Sequence, residues 1–300
     1  MIRPHPRCRF QGSYVALATP FREGELDLEG FRGLVDWHAA SGTDGLVVAG
    51  TTGEGATLTD EERERLFGAA VESARGRMPV IAGVGTNCTR TTIENARSAE
   101  RCGVDALLVV TPYYNRPTRR GLALHFGAVA DAVRLPIVLY NVPSRTGVDM
   151  APEVVAEVAT RFDHVVAVKE ALASIERVKR LVAESPAAVL CGDDASIADF
   201  LNEGAIGIVG VVNNVAPAEV SELVRVCLAG GDSARAADLV ERLAPLVRDL
   251  YIESNPGPVK AALALLGRCS EEVRPPLATM EPENRRKLAA TLARFLGRGA

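Results

Sequence analysis

Three hundred residues, 47% of them hydrophobic, hold enough apolar surface for one large domain or two small ones without disulfide or metal staples. A net charge of -4, spread along the chain with no basic run interleaved with aromatics, speaks against nucleic acid and anionic membranes as partners. No run approaches the roughly 20 apolar residues of a spanning helix. The start is broken by Pro4 and Pro6 rather than built as a signal peptide, and the six cysteines are scattered with no histidine at metal-ligand spacing. The expectation is a cytoplasmic protein without a metal, most of its thiols buried and reduced.

Residues 1–11 read as an extension. After them, β-rich runs recur at residues 14–19, 45–48, 80–83, 106–110, 137–140, 165–169, 188–191 and 207–209. Helical periodicity fills the intervals, as in Leu66, Phe67, Ala70, Val71 and Ala74 behind the capping-box pattern Thr59-Asp60-Glu61-Glu62. Each strand-helix pair takes about 30 residues, the size of a βαβ unit. Eight such pairs over residues 12–230 predict an α/β fold, a (β/α)8 TIM barrel, whose chemistry sits at the strand C-termini. A doubly wound open sheet is the rival. Against its dinucleotide-binding version, Gly83-Val84-Gly85-Thr86-Asn87-Cys88 lacks the third glycine, and no P-loop or nucleophile elbow occurs. Residues 231–300 form a helical remainder, with Leu239, Val240, Leu243, Leu246, Val247, Leu250 and Tyr251 as an apolar stripe and further helices near 263–266 and 288–295.

Four lysines stand against thirty arginines, and one of them, Lys169, closes the apolar run Val165-Val166-Ala167-Val168. Such a run reads as a strand buried on both faces, where a lysine is rare unless paired or used. Loss of solvation disfavours the charged amine and makes it a nucleophile, which suggests Schiff-base chemistry with a carbonyl substrate. A snorkelling strand-end lysine is the plainer alternative.

The other strand ends carry a matching set of polar groups. Gly50-Thr51-Thr52-Gly53-Glu54 offers hydroxyls and backbone N–H groups to a carboxylate, Thr111-Pro112-Tyr113-Tyr114-Asn115 offers phenols, and Tyr140-Asn141-Val142-Pro143-Ser144-Arg145-Thr146-Gly147 offers a phenol and a guanidinium. Together with Val168-Lys169-Glu170-Ala171 and Gly192-Asp193-Asp194, these stretches resemble the dihydrodipicolinate synthase family, within the pyruvate-dependent class I aldolases and lyases. The similarity runs from about Gly12 into the C-terminal helices.

The resemblance implies that Lys169 condenses with pyruvate, that the enamine attacks aspartate 4-semialdehyde, and that ring closure gives 4-hydroxy-tetrahydrodipicolinate for lysine and diaminopimelate synthesis. No cofactor is implied. Tyr140 carries over as the proton carrier, linked through Thr51 to Tyr114, which reaches in from a neighbouring subunit of a dimer or dimer of dimers. Thr52, the backbone at Val209 and Gly192 carry over as keto-acid contacts, and Arg145 as the fork for the second carboxylate. Sialic acid lyases and keto-deoxy sugar acid aldolases or dehydratases, which share the lysine and tyrosine, rank second, and a non-catalytic keto-acid-binding barrel ranks third. One departure concerns regulation. Ala56, Asn87 and Tyr113 match positions that line a lysine-effector site in inhibited members, but Thr91 stands where an acidic residue is expected and Arg63 where some members have histidine. Weak or absent inhibition by lysine is the expectation.

Overall fold

Eight short runs rich in Val, Ile, Leu and Ala form parallel strands that close into a barrel: β1 (Gly12–Ala16), β2 (Gly45–Val48), β3 (Val80–Gly83), β4 (Ala106–Val110), β5 (Ile137–Asn141), β6 (Val165–Glu170), β7 (Ala188–Cys191) and β8 (Gly207–Gly210). They come from a computed structural model that describes residues 5–230 and 233–297. Each strand pairs with its successor, and β8 returns to β1 through Gly12 opposite Gly207 and Tyr14 opposite Val209. Both faces are covered, by helices outside and by packed side chains inside, which is why the strands read as unbroken apolar runs rather than alternating ones.

Strands β2 to β8 lie where the sequence puts them to within a residue. The first does not. The expected run at 14–19 slides back to Gly12–Ala16, because after Leu17, whose N still bonds Val47 O at 3.0 Å, the chain is held by distant groups instead of a ladder. Ala18 N donates to Asn214 Oδ1 and Thr19 Oγ1 donates to Gly53 O, which turns the chain into the loop above the barrel. The cysteine expectation also needs correction: Cys8 and Cys191 are buried, but Cys88 is exposed and Cys102, Cys227 and Cys269 lie between.

Helix Asp60–Ala74 shows how local sequence sets an element. Thr59 Oγ1 accepts from Glu62 N at 3.2 Å while Thr59 N donates to Glu62 Oε2 at 3.0 Å, so the expected capping box is formed, and Leu66, Phe67, Ala70 and Ala74 face the core. At the N-terminal end of the barrel Cys8, Phe10 and Tyr14 fill the interior, with Phe10 and Tyr14 edge to face at 6.3 Å. Tyr14 takes space that a side chain at position 45 would need: a Cβ on Gly45 would stand 2.0 Å from the Tyr14 ring.

The C-terminal helices Ser233–Leu250, Gly257–Leu265 and Pro282–Phe295 pack beside the barrel. Leu239, Leu243, Leu246 and Leu250 of the expected stripe are buried, whereas Val240 is exposed and the Tyr251 ring leaves the stripe. No helix among the described residues is long and apolar enough to cross a membrane.

Candidate active site

Parallel pairing of β5 with β6 sets Tyr140 opposite Lys169 at the C-terminal mouth of the barrel. Both are nearly buried, at 6% and 5% exposure, and Lys169 Nζ lies 4.3 Å from the centre of the Tyr140 ring. One residue further on, the register sets Asn141 opposite Glu170. The Glu170 carboxylate is fully buried and accepts from Asn141 Nδ2, from Leu172 N at 2.8 Å and from Arg177 Nε at 2.6 Å. Arg177 also donates to Asp149 and to Met150 O. Burial pushes the Glu170 carboxyl up from its ordinary range, against the pull of Arg177. A satisfied network of this kind rigidifies what it holds, here the two strand ends that carry the amine and the phenol.

The end of β7 supplies clearance. A Cβ on Gly192 would lie 3.0 Å from Lys169 Cε, so any side chain here would press on the lysine stem.

The loop after β2 carries Thr51 and Thr52 and is pinned from the C-terminal region. Thr52 is buried, and its Oγ1 accepts from Asn255 Nδ2 at 2.9 Å. Two residues on, Glu54 and Lys260 form a fully buried ion pair of 2.6 Å, and the other Glu54 oxygen accepts from Arg274 N at 3.0 Å. Burial pushes the Lys260 amine down, while Glu54 holds it up. The Thr51 hydroxyl has no partner among the described residues, and no hydrogen bond joins Thr51, Tyr140 and Tyr114.

Arg145 sits on the short helix Pro143–Thr146, stopped by Gly147 in the left-handed region at φ 71°. Its guanidinium is exposed and reaches Asn255 O at 3.4 Å, so Asn255 touches both Thr52 and Arg145. Val209 lies in β8 within the same interior cluster as Tyr140. Just beyond it, the buried Asp194 carboxylate accepts from Val211 N and Val212 N at 2.9–3.1 Å and from Tyr251 Oη at 3.1 Å. Tyr114 stands apart. It is 88% exposed, with its backbone at φ 72°, a costly conformation for a tyrosine.

The structure therefore brings Lys169, Tyr140 and Gly192 together and ties Thr52 to Arg145 through Asn255, but leaves Tyr114 facing outward. Sequence reasoning missed Asn255 and Tyr251 as parts of this end of the barrel, and named Asp194 within Gly192-Asp193-Asp194 without a role. Asn255-Pro256-Gly257-Pro258 reads locally as a connector, and its partners are remote in the chain.

With this geometry in place, residues 9–295 match the Dihydrodipicolinate synthetase family. The chain belongs to that family. Among its relatives, the 4-hydroxy-tetrahydrodipicolinate synthase of Anaeromyxobacter sp. (strain Fw109-5) is 47% identical over 290 residues, 96% of this chain and 98% of that protein. The enzyme of the same name from Thermomicrobium roseum is 48% identical, covering 94% of each chain. The crystal structure of dihydrodipicolinate synthase from Aquifex aeolicus superposes with a TM-score of 0.94 at 44% identity, covering 96% of this chain and 98% of that one. The dihydrodipicolinate synthetase barrel is thus shared along nearly the whole length.

Proposed function

We propose that the protein condenses pyruvate with L-aspartate 4-semialdehyde to give 4-hydroxy-tetrahydrodipicolinate. The observation that carries this reading is the buried amine of Lys169 stacked on the Tyr140 ring at the mouth of a dihydrodipicolinate synthetase barrel. The names of the relatives favour it over a sugar-acid aldolase.

In this reading Lys169 adds to the keto carbon of pyruvate and expels water as an imine forms. Loss of a methyl proton gives the enamine, whose carbon bonds to the aldehyde, and the substrate's own amine then displaces Lys169 as the ring closes. Every step moves a proton, and Tyr140 is the group at hand to carry it. Thr52 and the backbone at Val209 hold the pyruvate carboxylate, Gly192 leaves the passage clear, and Arg145 binds the second carboxylate with its planar fork.

Tyr114 supports an assembled form. An aromatic ring left 88% exposed on a strained backbone is well suited to cover by a second copy, where it extends the proton path through Thr51. The reading is a homodimer or a dimer of dimers working in the cytoplasm. Reassembled hybrids of inactive Tyr114→Phe and inactive Lys169→Ala subunits should regain activity; hybrids that form and stay dead would remove Tyr114 from the partner's site.

The main test is chemical. Borohydride with pyruvate should add one pyruvate-derived adduct at Lys169, and product should form with aspartate 4-semialdehyde but not with N-acetylmannosamine or glyceraldehyde. An adduct on Lys260, or turnover of the sugar aldehydes alone, would overturn the assignment.

A further inference from the structure

A hydroxyl has one hydrogen to give and two lone pairs to receive with. Thr52 Oγ1 receives the Asn255 amide at 2.9 Å, and no described residue accepts its hydrogen. Neighbouring threonines behave differently: Thr19 donates to Gly53 O, Thr57 to Glu54 O and Thr146 to Val142 O. The hydrogen of Thr52 is thus uncommitted, and unlike the neighbouring Thr51 hydroxyl, which has no partner among the described residues, Thr52 Oγ1 is held in place on its acceptor side.

Asn255 holds this arrangement against its own interest. The residue is 5% exposed and its Oδ1 is buried without a partner, a net loss to folding. The opposite amide orientation would aim Oδ1 at Thr52 and draw the hydroxyl hydrogen to itself. The Thr52 hydroxyl would then have no hydrogen left to offer an anion.

We propose that Asn255 is a positioning residue that sets the direction of the Thr52 proton: its N–H occupies the acceptor side of the hydroxyl and reserves the hydrogen for the carboxylate of the keto acid. This rests on the reading of Thr52 as a carboxylate-holding group. The segment is held in place to do so. Asn255 O accepts from Arg145, and helix Gly257–Leu265, which follows at once, is locked to the Thr52 loop by Lys260 and Glu54.

The test is the pyruvate concentration that half-saturates borohydride trapping, measured beside thermal melting. Asn255→Asp keeps the shape but turns the donor into an acceptor that captures the Thr52 hydrogen. It should raise that concentration by about ten- to a hundredfold, the range of one hydrogen bond to a charged group. The neutral Asn255→Leu, which leaves the hydroxyl free to rotate, should lose less.

A Thr52→Val background separates proton direction from simple charge repulsion, which persists without the hydroxyl. Most of the loss caused by Asn255→Asp should vanish there. Wild-type pyruvate affinity in Asn255→Asp, or an equal fold-loss in both backgrounds, overturns the proposal. If Asn255→Asp does not fold, the same comparison is made with Asn255→Leu: a modest loss that disappears beside Thr52→Val supports the proposal, and an equal one overturns it. Failure of the wild-type protein to trap pyruvate at all would instead sink the parent reading of Lys169.

Discussion

Arg145 is exposed, and among the described residues its guanidinium donates to Asn255 O at 3.4 Å. Its removal should leave the amine of Lys169 and its neighbours where they are. Arg145→Ala is therefore expected to impair use of the semialdehyde far more than trapping of pyruvate, by roughly 1.5 to 3 kcal/mol for a lost charge-assisted bond. Steady-state kinetics beside borohydride trapping checks this, and a parallel fall in both would make Arg145 a general structural residue. Residues of this kind were legible in the sequence because they stand at strand ends, where polar groups interrupt apolar runs. Asn255 was not, since its bond to Thr52 spans 203 positions and its own surroundings look like a turn. Glu170 was visible as a neighbour of Lys169, but its partner Asn141 is revealed only by the register of β5 on β6, and Arg177 only by the packing of helix Ile175–Glu184 against that strand end.

Among the elements, strands β2 to β8 announce themselves because a strand buried on both faces must be apolar throughout. The first strand blurs because its end is set by Asn214 and Gly53, groups no local window contains. The C-terminal helices read as mere packing, yet one of them reaches the site through Lys260. A buried ion pair is costly to break and cheap to replace whole. Lys260→Met should strand the Glu54 carboxylate and destabilise the fold by about 3 to 5 kcal/mol, while adding Glu54→Gln should recover part of that loss. Urea unfolding of the single and double variants measures it, and additive losses would mean that the two groups do not act as a pair.

At the scale of the whole molecule, the question is whether a remote ligand can speak to the site. Of the positions matched to an effector pocket, Ala56 and Tyr113 lie near Arg63, whose guanidinium donates to Gly55 O at 2.9 Å and pairs with Asp60 at 3.3 Å. Two carboxylates on this stretch, Glu54 and Asp60, could in principle replace the acid missing at Thr91. Glu54 is taken by Lys260 and Arg274, and Asp60 by Arg63. A cationic amino acid bound at the positions the resemblance implies would meet a guanidinium and a neutral hydroxyl, and loss of a charge-assisted bond weakens binding by about ten- to a hundredfold. L-lysine should inhibit weakly or not at all. Substantial inhibition at submillimolar lysine in an initial-rate titration would show the pocket to be intact.

The packing of Cys8, Phe10 and Tyr14 corks the base of the barrel like the bottom of a bottle and leaves the mouth beside Lys169 and Tyr140 as its neck. Whatever binds above Lys169 first decides what can reach it next. If Arg145 takes the second carboxylate, as proposed, pyruvate must precede the aldehyde, and an aldehyde lodged there ahead of its turn bars the way. At low pyruvate the rate should pass through a maximum as the semialdehyde is raised, and added pyruvate should move that maximum upward. Plain saturation at every pyruvate concentration would mean that the bottle has a second opening.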